Sequence, residues 1–430
     1  MLLRAARALA ARGQYGAART LFDWALRFSP QDAALLRERL ALATKSGDAA
    51  QITADCRRLL ARMPNDVPAL ETLAVFELAA GRVEAARSVL EDAHRRGLLA
   101  DFQLKHDAVM DPARAQADGV YVSTLRDVTV DTGYWAVFDG ERVYSAETQN
   151  RNLRNSPLVG NRASPDDSAF LFRLPPLAQT IEQPCVLLGG DDNYCHWVTR
   201  NLFKLALIEG TPDDSLPLLV NADLRRHQRE FLELLGIAES RLLPVARPSL
   251  VRLREAVVPT NFHNHLKMGR AMQWLRGRLA RWIDPAPPRE RLYVSRRDAR
   301  VRKLVNEDEV EAALAPLGFR TIVPGEMPVR EQIAAFSRAS VIVGAHGAAF
   351  GNLVFAPPGA QVVEINSAFK SHIRDFPFLA KLAGIGFTSV VSDDYDFSRS
   401  EPYQADTDFR VDVDEVMAAL RRLAPALFGK

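Results

Sequence analysis

The stretch Val341-Ile-Val-Gly-Ala-His-Gly-Ala-Ala-Phe350 decides the fold class of the chain. Its β-branched residues predict a buried strand, its small residues a tight turn, and the residues from Phe350 a short helix. In open α/β sheets, ligands bind at the carboxyl ends of strands, where helix N-termini present N–H groups to anions. Gly344 and Gly347 permit the close backbone approach that a diphosphate needs, and His346 is unusual in a purely structural turn. The pattern is neither G-x-G-x-x-G nor a P-loop, so an anion site and an empty turn both remain open.

Strand and helix patterns alternate on both sides of this stretch. One alternating series covers residues 181–284 and a second covers residues 289–430, with the proline-rich run Asp284–Pro288 between them. In the second series, Asn306 and Glu309 predict a capping box at a helix start. Two successive series of this kind predict an α/β protein with two Rossmann-like domains facing across a cleft.

The first hundred residues show a repeat instead. Two residue types recur 34 positions apart: Gly13, Gly47 and Gly81, and Pro30 and Pro64. Helical patterns lie between them, so residues 1–98 resemble two to three tetratricopeptide repeats and predict an all-α domain. We expect the repeats to bind a partner protein, with a purely structural cap as the alternative.

Residues 99–180 change to a period of two and predict a β-rich segment. Short strands are predicted at Val120–Ser123 and Asp127–Val130, and Asp139-Gly140 predicts a hairpin turn. The run Asn150–Asp167 is rich in Asn, Arg, Ser and Pro and predicts a long loop.

Composition excludes several classes of protein. The 430 residues are 47% hydrophobic and 25% charged, which is typical of a globular protein of two to four domains. No apolar run is long enough to cross a bilayer, and a net charge of +2 does not indicate a nucleic-acid partner. Three cysteines without a C-x-x-C pattern predict neither disulfides nor zinc. We expect a cytoplasmic protein; the alternative is a protein attached peripherally to the inner membrane.

Basic residues follow the strand Leu292–Val294, at the edge where His346 is expected. Arg296 and Arg297 are placed there, and a guanidinium group can bond two phosphate oxygens at once. A solvated basic loop is the alternative. Glu364 ends a later strand, where its carboxylate either accepts hydrogen bonds from ribose or sugar hydroxyls or lies at the surface.

The matching edge loop of the first series is Gly189-Gly-Asp-Asp-Asn-Tyr-Cys-His-Trp197. His196 is a candidate general base, and Asp191 or Asp192 is either that base or the group that orients it. Asp192 or Asn193 could also cap the following helix, which is compatible with catalysis.

Metal binding is not predicted. His263-Asn264-His265 lacks further spaced ligands, so a solvated loop is expected there. Asp394-Tyr395-Asp396 has the D-x-D form but lies beyond the last well-formed strand, in a polar run. We therefore predict neither a metal site nor a cofactor.

Taken together, these segments resemble glycosyltransferase family 61. The matching elements appear in family order: Asn193–Trp197, Leu292–Arg297, Leu304–Glu307, Val341–Phe355 and Val362–Ile365. The resemblance covers residues 120–395 in outline and leaves the N-terminal repeats outside. Family members often carry Gly-Leu where this chain has Ala349-Phe350, and an aromatic residue in place of Cys195.

The resemblance implies a GT-B-like arrangement, with residues 181–284 on the acceptor side and residues 289–430 holding a nucleotide-sugar donor. It also implies inverting hexosyl or pentosyl transfer to a glycan or other hydroxyl acceptor, in surface polysaccharide biosynthesis. By motif, the donor's diphosphate would face a set of residues in the second series: Arg296, Arg297, Gly344, His346, Gly347, Ala348 and Ala349. Glu364 would face the nucleoside. The alternative is a repeat-bearing scaffold that binds nucleotide or polysaccharide without turnover.

Overall fold

The structure is a computed structural model that describes residues 2–148, 152–262, 266–398 and 403–429. Two compact units divide the chain. The first consists of Met1–Met110, Asp127–Glu182 and Pro248–Arg254, and the second of Asp111–Arg126, Gln183–Arg247 and Glu255–Lys430. In the part of the chain that is described, no helix combines the length and apolar character needed to span a membrane.

The first unit begins with helices only. Six helices form three successive pairs: α1 (Leu2–Ala11), α2 (Tyr15–Phe28), α3 (Ala33–Ser46), α4 (Ala49–Arg62), α5 (Val67–Ala79) and α6 (Val83–Arg95). The glycine between the two helices of each pair has a φ of +75° or +76°, which glycine adopts without strain. Ile52 and Cys56 are fully buried in the helical core. These observations confirm the all-helical N-terminal region.

A mixed sheet completes the first unit. Its strands are β1 (Phe102–Asp107), β2 (Val122–Asp131), β3 (Ala136–Asp139), β4 (Arg142–Tyr144), β5 (Ala169–Arg173) and β6 (Leu177–Ile181). Strands β5, β1, β4, β3 and β2 lie side by side in that order, and β2 begins in the second unit. The hairpin at Asp139-Gly140 joins β3 and β4 as predicted. The two short strands predicted over 120–130 are instead one strand, β2, in which Asp127 takes a φ of +51°.

The first alternating series lies in the second unit, except that β10 begins in the first. Its elements, with a short preceding helix, are α7 (Pro112–Asp118), β7 (Cys185–Gly189), α8 (Tyr194–His196), α9 (Phe203–Ile208), β8 (Leu218–Asn221), α10 (Arg226–Leu234), β9 (Leu242–Val245), β10 (Leu250–Pro259) and α11 (Met268–Arg278). A π-helical segment, Trp197–Leu202, joins α8 to α9. In this unit β10, β7, β8 and β9 are parallel and adjacent in that order.

The second alternating series follows in the same unit. Its elements are β11 (Glu290–Val294), α12 (Glu307–Leu314), β12 (Arg320–Ile322), α13 (Val329–Ser337), β13 (Ala339–Ala345), β14 (Gln361–Ser367), α14 (Asp375–Ala383), β15 (Gly386–Ser392), β16 (Tyr395–Asp396), β17 (Asp408–Phe409) and α15 (Val413–Leu423). The five-stranded parallel sheet has the order β12-β11-β13-β14-β15. A 3-10 helix, Ala348–Val354, follows β13.

In each of the two groups of parallel strands, the strand order reverses at one place. In the first, β8 and β9 lie on one side of β7 and β10 lies on the other; in the second, β12 and β13 flank β11. Ligands of open α/β sheets bind at such switch points, beyond the carboxyl ends of the strands. The loops after β7, β11 and β13 are therefore where a site is expected.

One apolar core joins the two series of the second unit. It contains Phe203 and Phe231 from the first series and Phe350 and Leu353 from the second, all buried. The other face of the five-stranded sheet packs against α12 and α15 in a separate cluster. Because burial of aromatic and branched side chains is the main favourable term in packing, the two series are held as one body.

The capping box predicted at the start of α12 does not form. Asn306 caps no backbone N–H with its side chain; instead Asn306 Oδ1 accepts from Val411 N at 3.1 Å and its Nδ2 donates to Val411 O at 2.9 Å. The side chain therefore ties the start of α12 to the segment before α15.

Candidate active site

The loop after β7 brings a carboxylate and an imidazole together. Asn193 caps α8 by accepting from His196 N at 3.2 Å, and Asp191 Oδ1 accepts from Asn193 N at 3.0 Å. These bonds place Asp191 Oδ2 at 3.0 Å from His196 Nδ1. Asp191 is 3% exposed, whereas the His196 side chain is 31% exposed. A carboxylate at Nδ1 favours a proton there, which leaves Nε2 as the accepting nitrogen.

Asp192, the third candidate from this loop, has a different position. It forms ion pairs with Arg225 at 2.8 Å and Arg247 at 2.9 Å. Burial raises the pKa of Asp192, but the hydrogen bonds from the two guanidinium groups outweigh burial and the net shift is downward. A carboxylate held in this way is a poor proton acceptor, so the expectation that Asp192 is a base does not fit the structure.

Arg296 lies against the turn after β13. A Cβ added at Gly347 would lie 1.9 Å from Arg296 Nη1, so the missing side chain makes room for the guanidinium group. Gly347 has an extended backbone with φ −172°, and its requirement is therefore steric. Arg296 Nε is buried without a hydrogen-bond partner in the described chain. Burial lowers the pKa of Arg296 to about 10.

Arg297 does not face this turn. Its guanidinium group contacts Asp308 and Glu311 on α12, with Nη1 at 3.1 Å from Glu311 Oε1. These hydrogen bonds raise the pKa of Arg297. Arg297 was predicted to bind a diphosphate beside Arg296. Its side chain points away from that of Arg296 and stabilises α12 instead.

A second carboxylate–imidazole pair lies within the second series. His346 Nδ1 is 2.6 Å from Glu364 Oε1, and Glu364 Oε2 accepts from Ser389 Oγ at 2.6 Å. Glu364 is 2% exposed and His346 7% exposed, with the imidazole ring 4.8 Å from the Phe376 ring. Both oxygens of Glu364 are therefore hydrogen-bonded within the protein, to His346 and Ser389. The expected contact between Glu364 and a nucleoside does not fit this buried position.

The remaining turn residues have separate roles. A Cβ at Gly344 would lie 2.8 Å from Val294 Cβ and Val294 O, so this glycine allows β11 and β13 to approach closely. Ala348 and Ala349 line a cavity. Ala349 is not among the residues with positive φ in the described chain, and an alanine therefore fits there without backbone strain.

A buried polar chain connects the two candidate loops. Tyr194 OH donates to Asn352 Oδ1 at 2.7 Å, and Asn352 Nδ2 donates to Gln332 Oε1 at 2.9 Å and to Ala349 O at 3.1 Å. A Cβ at Gly351 would lie 2.8 Å from Cys195 Cα. Tyr194 lies in a motif that the sequence singled out, but periodicity gave no signal for Asn352 or Gln332. The chain of bonds holds α8 against the turn after β13.

A cavity of about 310 Å³ opens beside this chain. It is lined from the second series by Arg296, Pro324 and Ala349, and from the first by Tyr194 and His227. Such volumes are at the lower end of those that hold small ligands. Burial lowers the pKa of His227 to about 4, so its ring is neutral at physiological pH.

The weak metal-ligand patterns gain no support. His263, Asn264 and His265 lie outside the described residues. Within the described ranges, no group of three His, Cys, Asp or Glu side chains could hold a metal ion. Asp396 accepts a hydrogen bond from Ser398 N at 2.9 Å. Cys195 is buried, which raises its pKa to about 12, and a thiol of this kind is a poor nucleophile.

Comparison with known proteins agrees with the resemblance in the sequence. Residues 194–363 match the family model described as Glycosyltransferase 61. The match begins at Tyr194, in the loop that carries His196, and includes Arg296 and the turn after β13. No curated protein matches the chain. Residues 194–363, which are less than half of the chain, are therefore similar to glycosyltransferase family 61, and this similarity indicates a glycosyltransferase.

Proposed function

We propose that the protein is an inverting glycosyltransferase that moves a sugar from a nucleotide-sugar donor to a hydroxyl group of a glycan acceptor. The two alternating series would be two Rossmann-like domains in a GT-B-like arrangement, residues 181–284 on the acceptor side and residues 289–430 on the donor side. One observation carries the proposal. The Asp191–His196 pair and the Arg296–Gly347 contact each lie at a sheet's switch point, in one packed unit.

The donor would bind through its diphosphate. Arg296 has an unpartnered Nε and lies against Gly347, and backbone N–H groups of the turn add further donors. His346 lies in the same turn, with Nδ1 hydrogen-bonded to Glu364; in the doubly protonated form of this ring, Nε2 would donate to a diphosphate oxygen. The adjacent cavity of about 310 Å³ would bind the nucleoside, because Arg296 and Ala349, which would contact the diphosphate, also line this cavity.

The reaction would need one proton transfer and one displacement. His196 Nε2 would take the proton of the acceptor hydroxyl, while Asp191 stabilises the imidazolium that forms. The acceptor oxygen would form its bond to the anomeric carbon as the bond from that carbon to the diphosphate oxygen breaks. A single displacement of this kind inverts the anomeric configuration. Arg296 and His346 would stabilise the charge that develops on the departing nucleoside diphosphate.

The biological setting is part of the same proposal. A nucleotide-sugar donor suits a cytoplasmic enzyme, and a glycan acceptor suits surface polysaccharide biosynthesis. The six N-terminal helices would dock a protein partner, since paired helices of this kind offer extended binding surfaces.

Two substitutions test the two halves of the site. A panel of nucleotide sugars is first screened by thermal shift, because a bound ligand raises apparent stability. Arg296→Ala should then abolish the shift. His196→Ala should keep the shift but lower donor turnover by about 100-fold or more. A protein that binds nucleotide sugars and neither transfers nor hydrolyses them would instead be a binding scaffold.

A further inference from the structure

Arg302 has two features that the proposed donor site does not explain. Its φ is +54°, a conformation that is unfavourable for a residue with a Cβ. Its guanidinium group is half-buried, and Nε is fully shielded without a hydrogen-bond partner in the described residues. The backbone is held there by Arg302 N, which donates to Asp406 O at 2.9 Å. Strained residues that the surroundings hold in place are often functional.

Two further cations lie near Arg302. Arg296 Nη2 donates to Val301 O at 3.3 Å, one residue before Arg302. Lys370 lies in the short 3-10 helix after β14, and that helix contacts the one that contains Asp406. Burial and the positive charge of Arg302 both lower the pKa of Arg296 and of Lys370. The three side chains therefore share one edge of the sheet, beyond β11 and β14 with the turn after β13 between them.

The charges of these three cations are not balanced by ion pairs. In the described chain, none of the three side chains forms an ion pair with a carboxylate, although Asp406 lies close enough to raise the pKa of all three, and Asp298 and Glu307 also raise that of Arg296. Like charges that are half-buried together repel one another and lose hydration. An anion with several oxygens would relieve both costs and accept hydrogen bonds from the guanidinium and ammonium groups.

We propose that Arg296, Arg302 and Lys370 form a tricationic site that binds a diphosphate group, with Arg302 and Lys370 holding its second phosphate. This inference rests on the proposed function, because the diphosphate is that of the donor. It assigns binding roles to two residues outside the motifs and explains why the Arg302 backbone is strained. The phosphate next to the turn contacts Arg296, and Arg302 and Lys370 contact its neighbour.

Calorimetric titration of the full-length protein with inorganic pyrophosphate tests the site directly. Arg302→Ala and Lys370→Ala should each weaken pyrophosphate binding by about 10-fold or more, as expected for hydrogen bonds to charged groups. Arg300→Ala removes an exposed arginine of the same loop and should change binding less than about 2-fold. Arg302→Lys should give an intermediate loss, because it keeps the charge but not the planar fork.

A second readout separates binding from a structural role. Alanine at position 302 suffers the same backbone strain as arginine but removes a like charge, so the Tm of the ligand-free protein should stay the same or rise. A Tm that falls while pyrophosphate still binds normally would overturn the proposal. Pyrophosphate that binds to protein already saturated with a nucleoside diphosphate would also overturn it. If no nucleoside diphosphate binds but pyrophosphate binding depends on Arg302 and Lys370, the proposed donor fails and the anion site stands.

Discussion

Gly347→Ala is the most informative single change in the turn after β13, which we propose binds the donor. The backbone of Gly347 is extended, with φ −172°, so alanine causes no strain and the fold should be retained. The new Cβ, however, would lie 1.9 Å from Arg296 Nη1, 3.0 Å from Cζ and 3.2 Å from Cδ. The whole end of the arginine must therefore move away from the turn. Losing its hydrogen bonds to a phosphate should cost about 1.5–3 kcal/mol, or about 10- to 150-fold in affinity.

A double-mutant cycle tests this reasoning quantitatively. The dissociation constant of a nucleoside diphosphate is measured by calorimetry for Gly347→Ala, Arg296→Ala and the double variant. Because both changes remove the same contact, the double variant should bind no more weakly than Arg296→Ala alone. Thermal unfolding of each variant controls for the fold. Additive losses, or wild-type affinity in Gly347→Ala, would refute the claim that the glycine serves Arg296.

Three further predictions follow from the neighbouring groups. Glu364→Gln should lower turnover by about 10- to 100-fold, because Glu364 orients His346. The nucleoside diphosphate that competes best should be the same as for the wild type. A changed preference for the base would show that Glu364 contacts the nucleoside after all. Burial lowers the pKa of His227 from 6.5 to about 4, so the unfolded chain binds a proton before the folded one and the free energy of unfolding falls as the pH decreases from 6.5 to 4. Chemical denaturation of His227→Phe should show a smaller fall in the free energy of unfolding over that range. A fall as large as in the wild type would contradict this prediction. Transfer should persist in EDTA, because Arg296, Arg302 and Lys370 supply the positive charge; activity lost in EDTA and restored by manganese would overturn this.

The sequence predicted those parts of the fold that depend on local patterns. The 34-residue spacing of glycines found the helix pairs, since each glycine occupies a left-handed position between two helices. The strand–turn pattern at 341–350 found β13 and its turn. Strand β15 and helix α14 were not predicted, because the partly exposed Gly386–Ser392 and the short Asp375–Ala383 lack a strong period. Their assignment depends on pairing with β14 and on tertiary packing.

The candidate site shows the same division. Asp191 and His196 are five residues apart on one cap, and their contact follows from local geometry. Arg297 follows β11 as expected, whereas Glu364 lies in the middle of β14 and does not end the strand. The direction of the two side chains depends on Asp308 and on His346, which lie outside the local patterns of these strands. The sequence did not distinguish Arg302 from the other basic residues of its loop. Its backbone strain and its unpartnered Nε can be seen only in three dimensions.

The stereochemistry of the first product tests the central proposal most directly. Once thermal shift has identified a donor, its hydrolysis or transfer is followed by proton NMR, and the anomeric configuration is recorded before mutarotation. The Asp191–His196 pair acting as a base on the acceptor predicts inversion, and Asp191→Asn should slow the reaction by about 100-fold or more without changing donor affinity. A product with retained configuration, or an Asp191→Asn variant with wild-type turnover, would contradict the proposed site.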